Sequence, residues 1–158
     1  MSIQYIHIFL FVLLFGTVFT LSCLEKRDTN LAQMIISMER AALDRWGKGD
    51  PWGYTAISAE GVTYFDTSTE RRVDGLDALK KYYKTFEGKI RIDRYEMIDP
   101  KVQVHGNTAV LTFNLIDYET QEDGSLSKTL WSSTEVYSRI EGEWKIVHTH
   151  WSKPNSEQ

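Results

Sequence analysis

The apolar residues of this chain change their spacing decisively at Gly88, and that change constrains the fold more than any other feature. Before it, Leu31, Ile35, Met38, Ala42 and Trp46 recur at helical intervals, and Leu76, Leu79, Tyr82, Tyr83 and Phe86 do so again. After it, the segments Lys89–Asp99, Lys101–His105, Thr108–Tyr118, Lys128–Ile140 and Glu143–Ser152 read as strands. Turn signals at Asp99-Pro100, Gly106-Asn107, Asp123-Gly124 and Glu141-Gly142 separate them. Helices first and antiparallel strands afterwards define an α+β chain, with three helices on one face of a curved, mainly antiparallel sheet.

The helical half carries its own punctuation. Asn30 is placed to cap the first helix with Gln33 three residues on, and Gly47-Lys48-Gly49 stops it. Asp50-Pro51 then opens a short helix over Trp52 to Ser58. Gly61 leads into a strand, Val62 to Asp66, and after a polar turn Asp74 is placed to cap the third helix, which Gly88 ends.

With 158 residues, the chain holds one domain with a real core. Its amino-terminal stretch is expected to lie outside that domain. Ile8 to Phe19 is an unbroken apolar run of about a dozen residues, too short for a comfortable span and suited to the core of a signal peptide. Thr20-Leu21-Ser22-Cys23 follows and approximates a lipoprotein signal, which would make Cys23 the lipid-modified first residue. The expected organisation is a signal peptide over 1–23, a tether over 24–29, the domain over 30–152 and a tail over 153–158. The expected place is the cell envelope, lipid-anchored to the membrane, with a soluble periplasmic or secreted protein, or an uncleaved anchor, as alternatives. A single cysteine forms no internal disulfide, so the fold rests on its core.

Composition narrows the partners. Net charge is −4, with 22 acidic against 18 basic residues and no basic stripe, which argues against nucleic acid. Five Trp and eight Tyr exceed what a small core needs if every ring is wholly buried. Some rings are therefore expected to line a cavity or an interface.

The wording of several segments resembles a known family. Gly49-Asp50, Tyr54-Thr55, Val73-Asp74-Gly75-Leu76-Asp77, Asp99-Pro100-Lys101-Val102 and the closing stretch from Glu141 to Ser152 are similar to the association (hub) domain of calcium/calmodulin-dependent kinase II and its bacterial SnoaL-like relatives. The resemblance implies the nuclear-transport-factor-like, cystatin-like cone, in which helices and a bent sheet enclose a pocket. It also implies that the hub pocket's tyrosine falls on Tyr54 and its arginines on Leu115, Glu135 and Trp151, none of them basic. An anionic ligand is thus not expected.

Strand alternation sorts the pocket candidates. Leu111, Phe113, Leu115 and Asp117 share one strand face, and Trp131, Ser133, Glu135, Tyr137 and Arg139 share another. A two-residue turn at Glu141-Gly142 would pair Glu135 with His148, whereas a bulge at Gly142 would bring Val147, Thr149 and Trp151 onto the Glu135 face. The family resemblance favours the bulge. The ligand pocket is then Tyr54, Asp66, Tyr83, Phe113, Leu115, Glu135 and Trp151. Three functions follow, in this order: a homodimeric module that binds a small molecule; a cofactor-independent isomerase, dehydratase or cyclase with Glu135 or Asp117 as base and Tyr54 steadying an oxyanion; and an oligomerisation domain without ligand. A plain ion pair between Glu135 and Arg139 or a nearby lysine is the bland alternative. His148 and His150 point the same way on one strand, but two imidazoles do not make a metal site. No cofactor is expected, and the only membrane contact is the lipid anchor.

Overall fold

The structure, a computed structural model, describes residues 28–154. The apolar run, Cys23 and most of the expected tether lie outside the described residues. Among the described residues, no helix is long and apolar enough to cross a membrane.

Helix α1 covers residues 28–46, so Asp28 and Thr29 are helical and Asn30 sits inside the helix rather than capping it. It stops where expected. The Gly47 amide donates to the Leu43 carbonyl at 2.9 Å, and Gly49, at φ 78°, turns the chain away. Asp50 accepts the Trp52 amide at 3.0 Å and starts α2, Trp52–Ile57. The chain then passes at once into β1, Ser58–Phe65, which runs through Gly61 instead of beginning after it. A two-residue strand β2, Val73–Asp74, precedes α3, Leu76–Tyr83, which tightens into a single 3₁₀ turn, Lys84–Phe86. Asp74 does not cap α3. It pairs with Arg72 at 2.5 Å, and Gly75 opens the helix at φ 88° with its carbonyl accepting from Leu79.

The remaining strands are β3 (Arg94–His105), β4 (Thr108–Thr120), β5 (Leu126–Ile140) and β6 (Glu143–Ser152). Asp99-Pro100 does not divide β3 in two. It is a bulge within one strand, with Asp99 at φ 46° and the register shifting between Ile98 and Lys101. All six strands form one sheet in the order β2-β1-β6-β5-β4-β3, and only the β1–β6 pair is parallel. The helices cover its inner face, where Ile35, Leu79, Leu111, Tyr137 and Ile146 are essentially sealed from solvent. The result is the expected α+β cone.

Two glycines separate backbone need from accident. A Cβ on Gly49 would stand 3.1 Å from the Gly88 Cα, and the positive φ strains any L side chain there. Gly61 has nothing within 4 Å of that position. Gly49→Ala is expected to lower unfolding free energy by about 2 kcal/mol, while Gly61→Ala leaves it unchanged within about 0.5 kcal/mol. Urea denaturation of both variants checks the pair.

Candidate functional site

The β5–β6 register decides which side chains meet inside the cone. Ile140 pairs with Glu143, so the hairpin turn is the two-residue Glu141-Gly142, with positive φ at both positions. The bulge lies further along. Tyr137 pairs with Ile146 but Val136 pairs with His148, which leaves Val147 as the extra residue. Glu135 therefore stands opposite Thr149 and Ser133 opposite Trp151. The favoured pairing holds, but the bulge is at Val147, not Gly142, and Val147 does not join the Glu135 face as a paired residue.

Two carboxyl groups are completely buried in this interior, Glu135 on β5 and Glu39 on α1. Thr149 Oγ1 donates to Glu135 Oε2 at 2.5 Å, and Ser133 Oγ donates to Oε1 at 3.2 Å. Glu39 holds two phenols: Tyr54 Oη donates to Oε1 at 2.8 Å and Tyr137 Oη to Oε2 at 2.9 Å. Among the described residues no cation answers either acid. Arg139, the suggested ion-pair partner, is exposed and donates to the Gly142 carbonyl, and no Lys or Arg among the described residues is buried. Burial pushes the Glu39 carboxyl up to about 7 despite the two phenol donors. Burial raises Glu135 well above the usual carboxylate range, and the nearby Glu39 adds to it. Hydrogen bonds from Thr149, Ser133 and Trp151 act against that rise.

Beside these acids lies a partly open cavity of about 100 Å³. Six rings line it: Trp46, Tyr54, Tyr64, Tyr83, Trp131 and Trp151. Leu43, Ile92 and Leu115 add aliphatic wall, and Asp66 and Asp117 are its two acidic lining residues. Phe113 stands behind the wall, edge-on to Trp151 at 5.5 Å, and Glu135 is likewise outside the lining, next to Trp151 and Thr149. Asp117 accepts the Trp131 indole N–H at 2.7 Å. Asp66 Oδ2 accepts both the Tyr64 and the Tyr82 hydroxyls at 2.8 Å.

This geometry corrects the part given to Tyr54. Its ring faces the cavity, but its hydroxyl is committed to Glu39 and is not a free donor for an oxyanion. Glu39 itself escaped the sequence reading. The signal was present, because Glu39 sits four residues after Ile35 and three before Ala42, a charge in the middle of an apolar stripe. Trp46, read as core, and Tyr64 and Trp131 complete the wall.

His148 and His150 lie on the opposite face of the sheet. His148 pairs with Val136 and its Nδ1 is 2.8 Å from Thr63 Oγ1, while Phe65 packs near both imidazoles. Burial lowers the His148 pKa, helped by His150 and Arg72. Glu135, the third ligand a metal site would need, is on the inner face, and no group of three His, Cys, Asp or Glu among the described residues is placed to hold an ion.

Comparison with known proteins agrees with this architecture. Residues 31–155 match the calcium/calmodulin dependent protein kinase II association domain family. The chain is 26% identical over 121 residues to the calcium/calmodulin-dependent protein kinase type II subunit delta of Oryctolagus cuniculus; the match covers 75% of this chain and 23% of that protein. It thus spans about a quarter of that relative's length. A candidate ketosteroid isomerase from Parabacteroides distasonis superposes with a TM-score of 0.69 at 41% identity, over 78% of this chain and 87% of that one. The association domain of C. elegans calcium/calmodulin-dependent kinase II shares the fold at 21% identity and the same TM-score of 0.69, over 79% of this chain and 97% of that one. With most of its residues matched and its cone superposed on theirs, this chain belongs to the calcium/calmodulin dependent protein kinase II association domain family.

Proposed function

We propose that the cone binds a small molecule and that the protein works as a self-associating ligand-binding domain of the cell envelope. The observation that carries this reading is the pair of buried, cation-free acids beside a hollow lined by rings. Burying two carboxyl groups opposes folding, and apolar residues of similar size would give a more stable core. Assembly alone calls for no ring-lined hollow beside them, whereas a bound molecule uses one. A cavity of about 100 Å³ is also smaller than the several hundred Å³ of sites that engulf drug-sized ligands. It suits one compact group, with the rest of a larger ligand outside. Self-association is supported by family membership, since association domains are named for it. The sheet face bearing His148, His150 and Phe65 is the candidate for the contact in a homodimer. Export and lipid attachment at Cys23 belong to the same proposal and rest on the sequence pattern.

A second reading, a cofactor-independent isomerase, dehydratase or cyclase, draws on the two acids themselves. Glu39 accepts from two phenols and Glu135 from Ser133 and Thr149, and burial raises the proton affinity of both, so two such carboxyl groups share one dry interior. That is a useful arrangement for moving a proton. In this reading the base is Asp117, which lines the cavity, or Glu135, which stands behind the wall beside Trp151 and Thr149.

Ligand binding is tested by thermal unfolding with compounds retained by protein purified from its own envelope. A bound compound should raise Tm, and Trp151→Ala should abolish the shift because it removes a wall ring; a rise that survives in Trp151→Ala would place the ligand elsewhere. For the enzyme reading, Glu135→Gln should remove turnover of an enolisable ketone while Tm stays within about 4 °C of the parent, and a parent protein inert towards a broad ketone panel would end that reading.

The acids also set a pH dependence. An unfolded chain releases the Glu39 proton near 4.5 and the folded chain holds it to about 7, so the native state binds more protons in between. Stability is then full below pH 4.5 and is lost as pH rises through 7, by on the order of 3 kcal/mol for Glu39. Glu135 acts in the same direction. Chemical denaturation between pH 5 and 8 should show this fall, with a shallower slope in Glu39→Gln; a profile that rises across the window would contradict the shared burial of both acids.

A further inference from the structure

We propose that the group held in the cone is a small organic cation, a quaternary or protonated amine headgroup seated among the rings beside Asp66 and Asp117. This inference deepens the ligand-binding reading and rests on it.

The wall is selective by charge. Among the described residues no Lys, Arg or His lines the cavity, and its two acidic lining residues are Asp66 and Asp117. Three of its ring donors are already turned towards acids: the Trp131 indole to Asp117, the Tyr64 hydroxyl to Asp66 and the Tyr54 hydroxyl to Glu39. An anion entering here would meet acidic side chains and no uncommitted positive group. A neutral apolar group would strip water from Asp66 and Asp117 and return nothing to them. A cation does both jobs, offsetting the acids and meeting the negative faces of the rings.

The ring arrangement fits that ligand. Tyr64 and Tyr83 stand 5.4 Å apart at 88°, Trp46 and Tyr54 6.0 Å apart at 78°, and Trp131 and Trp151 6.3 Å apart at 84°. Rings set at right angles to one another turn their π faces in different directions, which suits a compact cation better than a parallel stack does. A cavity of about 100 Å³ is smaller than the roughly 150 Å³ that accommodates benzene, which limits the buried part to a headgroup. One of the lining rings already carries a cation on a face. Lys153 places its Nζ 4.8 Å from the centre of the Trp131 ring, so an ammonium is accepted on a lining ring within the chain itself.

The test is isothermal titration calorimetry of the full-length protein with three probes of similar size: choline, its neutral isostere 3,3-dimethyl-1-butanol, and butyrate, each against sodium chloride of equal ionic strength. Choline should bind at least ten-fold more tightly than the alcohol, with no detectable butyrate binding. Asp117→Asn should weaken choline several-fold and leave the alcohol unchanged, with its Tm reported alongside. Because Trp131 shares the Asp117 hydrogen bond, Trp131→Phe, which keeps a ring, serves as the second variant and should retain choline. If the alcohol or butyrate binds as tightly as choline, the inference fails and the ligand-binding reading stands. If no probe binds although an envelope-derived compound raises Tm in a Trp151-dependent way, the inference again fails alone. If no compound of any charge binds, both fail.

Discussion

The contact on which the interior depends is the grip of one carboxyl group on two tyrosines from different parts of the chain. Glu39 reaches from α1 to Tyr54 on α2 and to Tyr137 on β5, joining residues 98 positions apart in sequence. Both carboxyl oxygens accept, so the acid is fully satisfied although sealed from water. The consequence is orientation. With its hydroxyl held by Glu39, Tyr54 can offer the cavity only its ring, and the buried Tyr137 is tied to α1. Removing the acid would leave two buried hydroxyls without acceptors, a larger penalty than the loss of one hydrogen bond. What looks like a destabilising choice at position 39 therefore fixes the shape of the hollow.

A second acid defines the far side of the same interior. Glu135 is tied to its neighbours on the sheet through Ser133 and Thr149, so it belongs to the strand layer as Glu39 belongs to the helical layer. The two layers thus each contribute one proton-binding group to a space that excludes basic residues. Tyrosines fill the interval between them, and burial raises the proton affinity of Tyr54 and Tyr83 as well. The interior is consequently short of positive charge from end to end. Any occupant, whether ligand or proton, is selected by that imbalance before shape is considered.

Much of this was legible in the sequence because strands advertise their faces. The alternation of Leu111, Phe113, Leu115 and Asp117, and of Trp131, Ser133, Glu135 and Tyr137, survives intact as the inner surface. Helix termini with glycine were equally plain at Gly47 to Gly49. Three features were hidden. Glu39 was masked because a single acid in an apolar stripe usually turns to solvent, and only the distant Tyr137 gives it a reason not to. The bulge at Val147 leaves no mark of its own, since Val is at ease in any strand and the visible Gly142 is used by the turn instead. Asp74 has the chemistry of a cap, yet Arg72 two residues away competes for it and Gly75 takes the turning conformation. In each case the deciding partner lies outside the local window that spacing and propensity can read.

The parallel pairing of β1 with β6 has a consequence for how the molecule is made. Thr63 to Phe65 join His148 to His150 in adjacent register, so a strand from the first half of the described chain waits for the last one. Until β6 is present, β1 has only the two-residue β2 beside it, and the long loop joining these partners must close against its own entropy. Sequence separation thus ranks the local hairpins of β3 to β6 ahead of the closure of β1 onto β6. The inner wall is finished by that same closure, since β1 carries Tyr64, one of the rings that line the cavity. A chain emerging gradually from a ribosome would expose its aromatic interior for the whole of its passage, and would conceal it in a single final step.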